Sequence, residues 1–102
     1  MSVLGTYTAT ANTPIGEKTM EISIFKSESG HTGLLRSEET KSAYELSDVK
    51  VNGNNFTFDI NLKLPLPLGT VLSTFNCNVN GGTLTGEVVT PYATVDLRGK
   101  KV

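Results

Sequence analysis

The chain has 102 residues, the length of one domain spanning 1–102, and supports one modest core. With 19% charged and 37% apolar residues its composition is neither disordered nor membrane-embedded, and a net charge of −1 gives no field to steer nucleic acid or anionic lipid. A single cysteine excludes an internal disulfide, and the opening Met1–Thr6 has neither a basic nor an apolar leader run, so a reducing, cytoplasmic setting is expected.

In chain order, residues 3–10 read as a first strand rich in Thr and Tyr. Asn12-Thr13-Pro14-Ile15-Gly16 is a turn, because Pro and Gly supply the φ values a reversal needs. Met20, Ile22 and Ile24 alternate with polar residues and give a second strand. Ser27-Glu28-Ser29-Gly30 reverses the chain into a weaker third strand over 31–37. The charged run Ser37–Ser42 is a polar hairpin loop rather than a helix start. It leads to a fourth strand around Tyr44 and a fifth around Val49 and Val51.

Asn52-Gly53-Asn54-Asn55 is a strong hairpin signal, since both residue types tolerate the left-handed backbone of tight turns. The clearest element follows. Phe56, Phe58, Ile60, Leu62 and Leu64 alternate strictly with Thr57, Asp59, Asn61 and Lys63, a strand with one face in a core and one in water. Pro65-Leu66-Pro67-Leu68-Gly69 ends it. Residues 70–79 form the next strand, with Val71, Phe75, Cys77 and Val79 on one face. Asn80-Gly81-Gly82 is a second hairpin turn into 83–90, Pro91 breaks the chain, and Val95 and Leu97 mark a last strand.

A faint two-fold repeat runs at a spacing of about fifty residues. Pro14-Ile15-Gly16 corresponds to Pro67-Leu68-Gly69, Ile22 and Ile24 to Phe75 and Cys77, and Thr32-Gly33 to Thr85-Gly86. Gly33 and Gly86 would then be places where a strand bends or another backbone comes close. Short strands with frequent turns imply a sandwich or a barrel. Hairpin connections favour a meander, and closure removes exposed edges. The expected fold is all-β, a single small antiparallel up-and-down β-barrel of about eight strands.

Thr13-Pro14-Ile15-Gly16, Thr32-Gly33, the stretch Val51–Phe58 and Gly82-Thr83-Leu84-Thr85-Gly86 resemble small bacterial lipocalin-like, calycin-type barrel modules. The resemblance covers most of the chain. It departs from lipocalins proper in having Tyr7, not Trp, in Gly5-Thr6-Tyr7. What it implies is a barrel fold able to hold a cavity.

An eight-stranded barrel either fills with its own side chains or holds one small ligand, and both alternatives are open from sequence. His31, alone and beside a turn glycine, reads as solvated. Cys77, between Phe75 and Val79, reads as a small buried hydrophobe rather than a nucleophile. Glu38, Glu39, Asp59 and Asp96 read as outward charges, and Arg98, Lys100 and Lys101 as a solvated basic end. No catalytic residue, metal site or cofactor is expected. Tyr7, Tyr44, Tyr92, Leu66 and Leu68 would line a barrel mouth, with Phe56, Phe58 and Phe75 as its floor. The expected function is non-catalytic binding of a small apolar ligand there. The alternative is a protein-interaction or homo-oligomerisation module with a filled core, using the Leu64–Leu68 loop. Neither nucleic acid nor membrane is an expected partner.

Overall fold

The computed structural model describes residues 3–13, 16–28, 30–39, 41–63 and 69–102. They contain nine antiparallel strands and no helix: β1 (Gly5–Thr13), β2 (Gly16–Ser27), β3 (Gly30–Ser37), β4 (Ala43–Glu45), β5 (Ser47–Asn52), β6 (Asn55–Lys63), β7 (Thr70–Asn80), β8 (Thr83–Val89) and β9 (Thr94–Lys101). The sheet runs β4-β3-β2-β1-β9-β8-β7-β6-β5. Every neighbouring pair is consecutive in the chain except β1 and β9, whose ladder runs from Tyr7–Lys101 to Ala11–Leu97. The all-β meander expected from the alternation is therefore present.

The edge strands β4 and β5 are separated only by Leu46. β4 pairs with β3 and β5 with β6, so the two form one bent strand that draws the ends of the sheet together. The Leu46 N–H donates to the Gly33 carbonyl at 3.0 Å while its side chain is buried. The bend continues through a register shift between Ser47 and Lys50, where Asp48 has φ +54°. Asp tolerates this conformation better than most residues. Counting β4 and β5 as one, eight strand positions surround a nearly closed barrel.

Alternation decides the core. β7 is alternately exposed and buried along its whole length, with Val71, Ser73, Phe75, Cys77 and Val79 inward. Met20, Ile22 and Ile24 of β2, Phe56, Phe58 and Ile60 of β6, Leu84 and Val88 of β8 and Leu97 of β9 are buried as the periodicity predicts; Leu62 and Val95 are partly so. β1 adds Tyr7, Ala9 and Ala11, and β3 adds Leu35. His31 lies within β3, half-buried, rather than in the preceding turn.

The internal repeat has a structural counterpart. Ile24 lies opposite Gly33, and Cys77 opposite Gly86, at the same offset along the chain. A Cβ on Gly33 would overlap the Ser23 carbonyl oxygen, and one on Gly86 would overlap that of Asn76, the residue equivalent to Ser23. In the circuit of eight positions, β2 and β3 stand opposite β7 and β8. Each half thus contains one strand pair too close for any side chain at the glycine.

Candidate functional site

β1 and β6 occupy opposite positions of the circuit, so contact between their inward side chains spans the interior. The Tyr7 and Phe56 rings lie 5.8 Å apart between centroids. Phe56 continues to Phe58 at 6.1 Å, and Phe58 stacks on Phe75 at 4.7 Å with planes 13° apart. These separations are those of attractive aromatic pairs. The three phenylalanines placed at the floor are therefore together, in a run of ring contacts that Phe56 extends to Tyr7 on the opposite wall.

Tyr7 was expected at a mouth. It is fully buried near the N-terminal end of β1, where its hydroxyl donates to the Val3 carbonyl at 2.6 Å and the Lys101 Nζ lies 5.8 Å from the ring centroid. A buried phenol needs a partner, and the chain preceding β1 supplies it. Burial pushes the Tyr7 hydroxyl above its ordinary pKa, with Cys77 adding to the shift. Cys77 is itself pushed up to about 12 by desolvation.

Tyr44 is half-buried against the core, on β4 opposite Leu35. Tyr92 is 62% exposed on the turn joining β8 to β9. That turn is tied by its own hydrogen bonds. Thr90 N–H donates to the Ala93 carbonyl at 2.9 Å, and Thr90 Oγ1 accepts from the Tyr92 and Ala93 N–H groups at 3.2 and 3.1 Å. The tyrosine is thus presented on a stiff support. Leu66, Leu68 and the rest of the Leu64–Leu68 loop lie outside the described residues.

Two residues that the sequence reading did not single out join Tyr92 at this end of the barrel. Leu72 is 56% and Val89 41% exposed on the outer face. Val89 lies opposite Thr74, so Leu72 is its diagonal neighbour across the β7–β8 pair. The available signal was Leu72 itself, a large apolar residue in the outward series Thr70, Thr74, Asn76, Asn78. Asp59, Glu87 and Asp96 surround the pair on neighbouring outward positions, and Asp59 accepts a hydrogen bond from Thr74 at 2.8 Å.

Glu38 and Glu39 are exposed and pair with Lys41 and Lys18 respectively, as expected of a solvated loop. Among the described residues no three His, Cys, Asp or Glu side chains are arranged to hold a metal. No helix among them is long and apolar enough to cross a membrane. The fold and this surface define the molecule as a small up-and-down barrel with aromatic contacts bridging its interior. No protein-family model, curated protein or solved structure matches the chain.

Proposed function

We propose that this barrel is a non-catalytic association module that pairs with a second copy of itself through Leu72, Val89 and Tyr92. The observation that supports it is the contrast between inside and outside. The interior is bridged by Tyr7, Phe56, Phe58 and Phe75, whereas Leu72 and Val89, diagonal neighbours on the outer face, and Tyr92 on the turn that follows β8 stay exposed. Their exposed surface amounts to roughly 300 Å², at the lower edge of the largest patch on a typical monomer. A stable complex uses about 800 Å² per partner, so the dimer is weak and reversible. A contact of like with like suits a two-fold dimer.

The acidic rim makes the test specific. Asp59, Glu87 and Asp96 meet their own copies across such a contact, so salt strengthens the dimer by screening. A basic partner would instead be released by salt. Sedimentation velocity over a range of protein and salt concentrations is expected to show association rising with both. Leu72→Glu combined with Tyr92→Glu is expected to abolish it without unfolding, because both sites are exposed. A wild-type chain that stays monomeric throughout overturns the proposal, as does a variant that associates equally.

A second reading, a small apolar ligand at the same end, has its own support. Toward that end the inward positions Ala9 and Ala11 of β1 and Ser73 of β7 are small, with the inward Val71 beyond Ser73. Native mass spectrometry separates the two, since a ligand adds mass that disappears on denaturation. In either reading the barrel is proposed to be calycin-like and cytoplasmic. The up-and-down circuit supports the calycin part, and a lone cysteine, free and buried, suits a reducing compartment.

A further inference from the structure

We propose that the outer face of β6, β7 and β8 carries a binding site for a neutral, hydroxyl-rich ligand, a hexose or the end of a sugar chain. A shallow depression of about 400 Å³ lies there, lined by Asn55, Asn76, Asn78, Thr85, Gly86 and Glu87. Asn76 stands directly opposite Glu87, and Asn78 opposite Thr85. Gly86 lies between them and contributes backbone to the lining.

The residue types are the first argument. Asparagine is a poor strand former, and exposed mid-strand positions elsewhere in this barrel are often threonine. Asn76 sits in the middle of an eleven-residue strand, and Asn78 two residues before its end. A breach of local preference without a packing benefit points to function. The fold does not demand it either. At the equivalent corner beside Gly33, positions 23, 25, 32 and 34 carry Ser, Phe, Thr and Leu.

Geometry gives the second argument. The Asn55 Nδ2 donates to Asn76 Oδ1 and to the Cys77 carbonyl, both at 2.9 Å. This fixes both amides and leaves Asn55 Oδ1 as an acceptor and the Asn76 amide nitrogen as a donor. Asn78 and Thr85 add groups of both kinds, and Glu87 adds a carboxylate. A sugar hydroxyl needs one acceptor and one donor, and the Glu87–Asn76 pair supplies both. An anion would meet Glu87 and, on the next strand, Asp96. An apolar ligand would find no apolar side chain in the lining.

Titration of the isotope-labelled chain with glucose, galactose and mannose tests this by the side-chain amide signals of Asn55, Asn76 and Asn78. At least one hexose is expected to move them, with a dissociation constant on the order of 1 mM for so open a site. Glu87→Gln and Asn76→Thr are each expected to weaken binding about tenfold or more. Asn76→Thr introduces a better strand former, so its thermal midpoint is expected not to fall, which separates loss of binding from loss of fold. The proposal is overturned if no hexose moves these signals or if Asn76→Thr titrates like the wild type. It is equally overturned if calcium moves them at lower concentration than any sugar, which would make the site a cation site.

Discussion

Cys77 lies on the inward face of β7 opposite Phe56 and Gly86, with no exposed surface. Burial raises its pKa from 9.0 to about 12. The unfolded chain therefore releases this proton three units earlier than the folded one, and the folded state holds more protons in between. Stability is intact below pH 9 and falls as pH rises toward 12, by at most about 4 kcal/mol at full ionisation. The raised Tyr7 hydroxyl adds loss of the same sign above its ordinary value of 10.0. Urea midpoints compared at about pH 8 and about pH 10.5 should show the loss in the wild type and a smaller one in Cys77→Ala. An equal drop in both proteins would remove the thiol from the account. That Cys77 is buried was legible, because it falls on the apolar side of an alternating strand. That Tyr7 is buried was not. Tyr7, Ala9 and Ala11 alternate with Thr6, Thr8 and Thr10, but the contact that takes the ring inward is with Phe56 on the opposite wall, which exists only once the barrel closes.

At the scale of single elements, Gly33 and Gly86 set how closely β3 approaches β2 and β8 approaches β7. The Ser23 and Asn76 carbonyls stand where a Cβ would go, and for Gly33 the Leu46 Cδ1 lies 2.8 Å from that point. Gly33→Ala and Gly86→Ala are each expected to cost about 1–3 kcal/mol, as overpacking does. Thr83→Ala, exposed on β8, should stay within about 0.5 kcal/mol. Chemical denaturation of the three variants measures this, and glycine variants as stable as Thr83→Ala would show that the strands simply move apart. The repeat could be seen in the sequence as two Thr-Gly pairs at equal offset. Its cause could not, because a clash between strands belongs to their packing. The bend at Leu46 was hidden for a related reason. Ala43–Glu45 and Ser47–Asn52 are ordinary strand sequence, and only their different partners reveal one strand turning from β3 to β6.

For the whole molecule, closure rests on the ladder between β1 and β9, the contact between the first and last strands. A chain ended after Ala93 would leave β1 and β8 as bare edges and remove Leu97 from the core. It is expected to lose its cooperative unfolding transition and to aggregate with rising concentration, because unpaired edges recruit other chains. Calorimetry and light scattering check this. A soluble, cooperatively unfolding fragment would show that the hairpins of each half suffice without closure. Such closure of distant segments is also costly in chain entropy, which makes the barrel a slower folder than its short hairpins suggest.

Period-two alternation and glycine- or proline-marked turns by themselves determined that this chain is an all-β meander, and which face of β2, β6, β7 and β9 is inside. These are local properties, because a strand's two faces are fixed by its own residue order. Tertiary structure alone decided what the aromatic residues face. Whether Phe56, Phe58 and Phe75 line a space or fill it depends on the distance across the barrel to Tyr7 on the opposite wall. It likewise decided that Leu72 and Val89 lie side by side and that Asn55 reaches Asn76. Such neighbours come from different strands, and their register is set only when the strands pair.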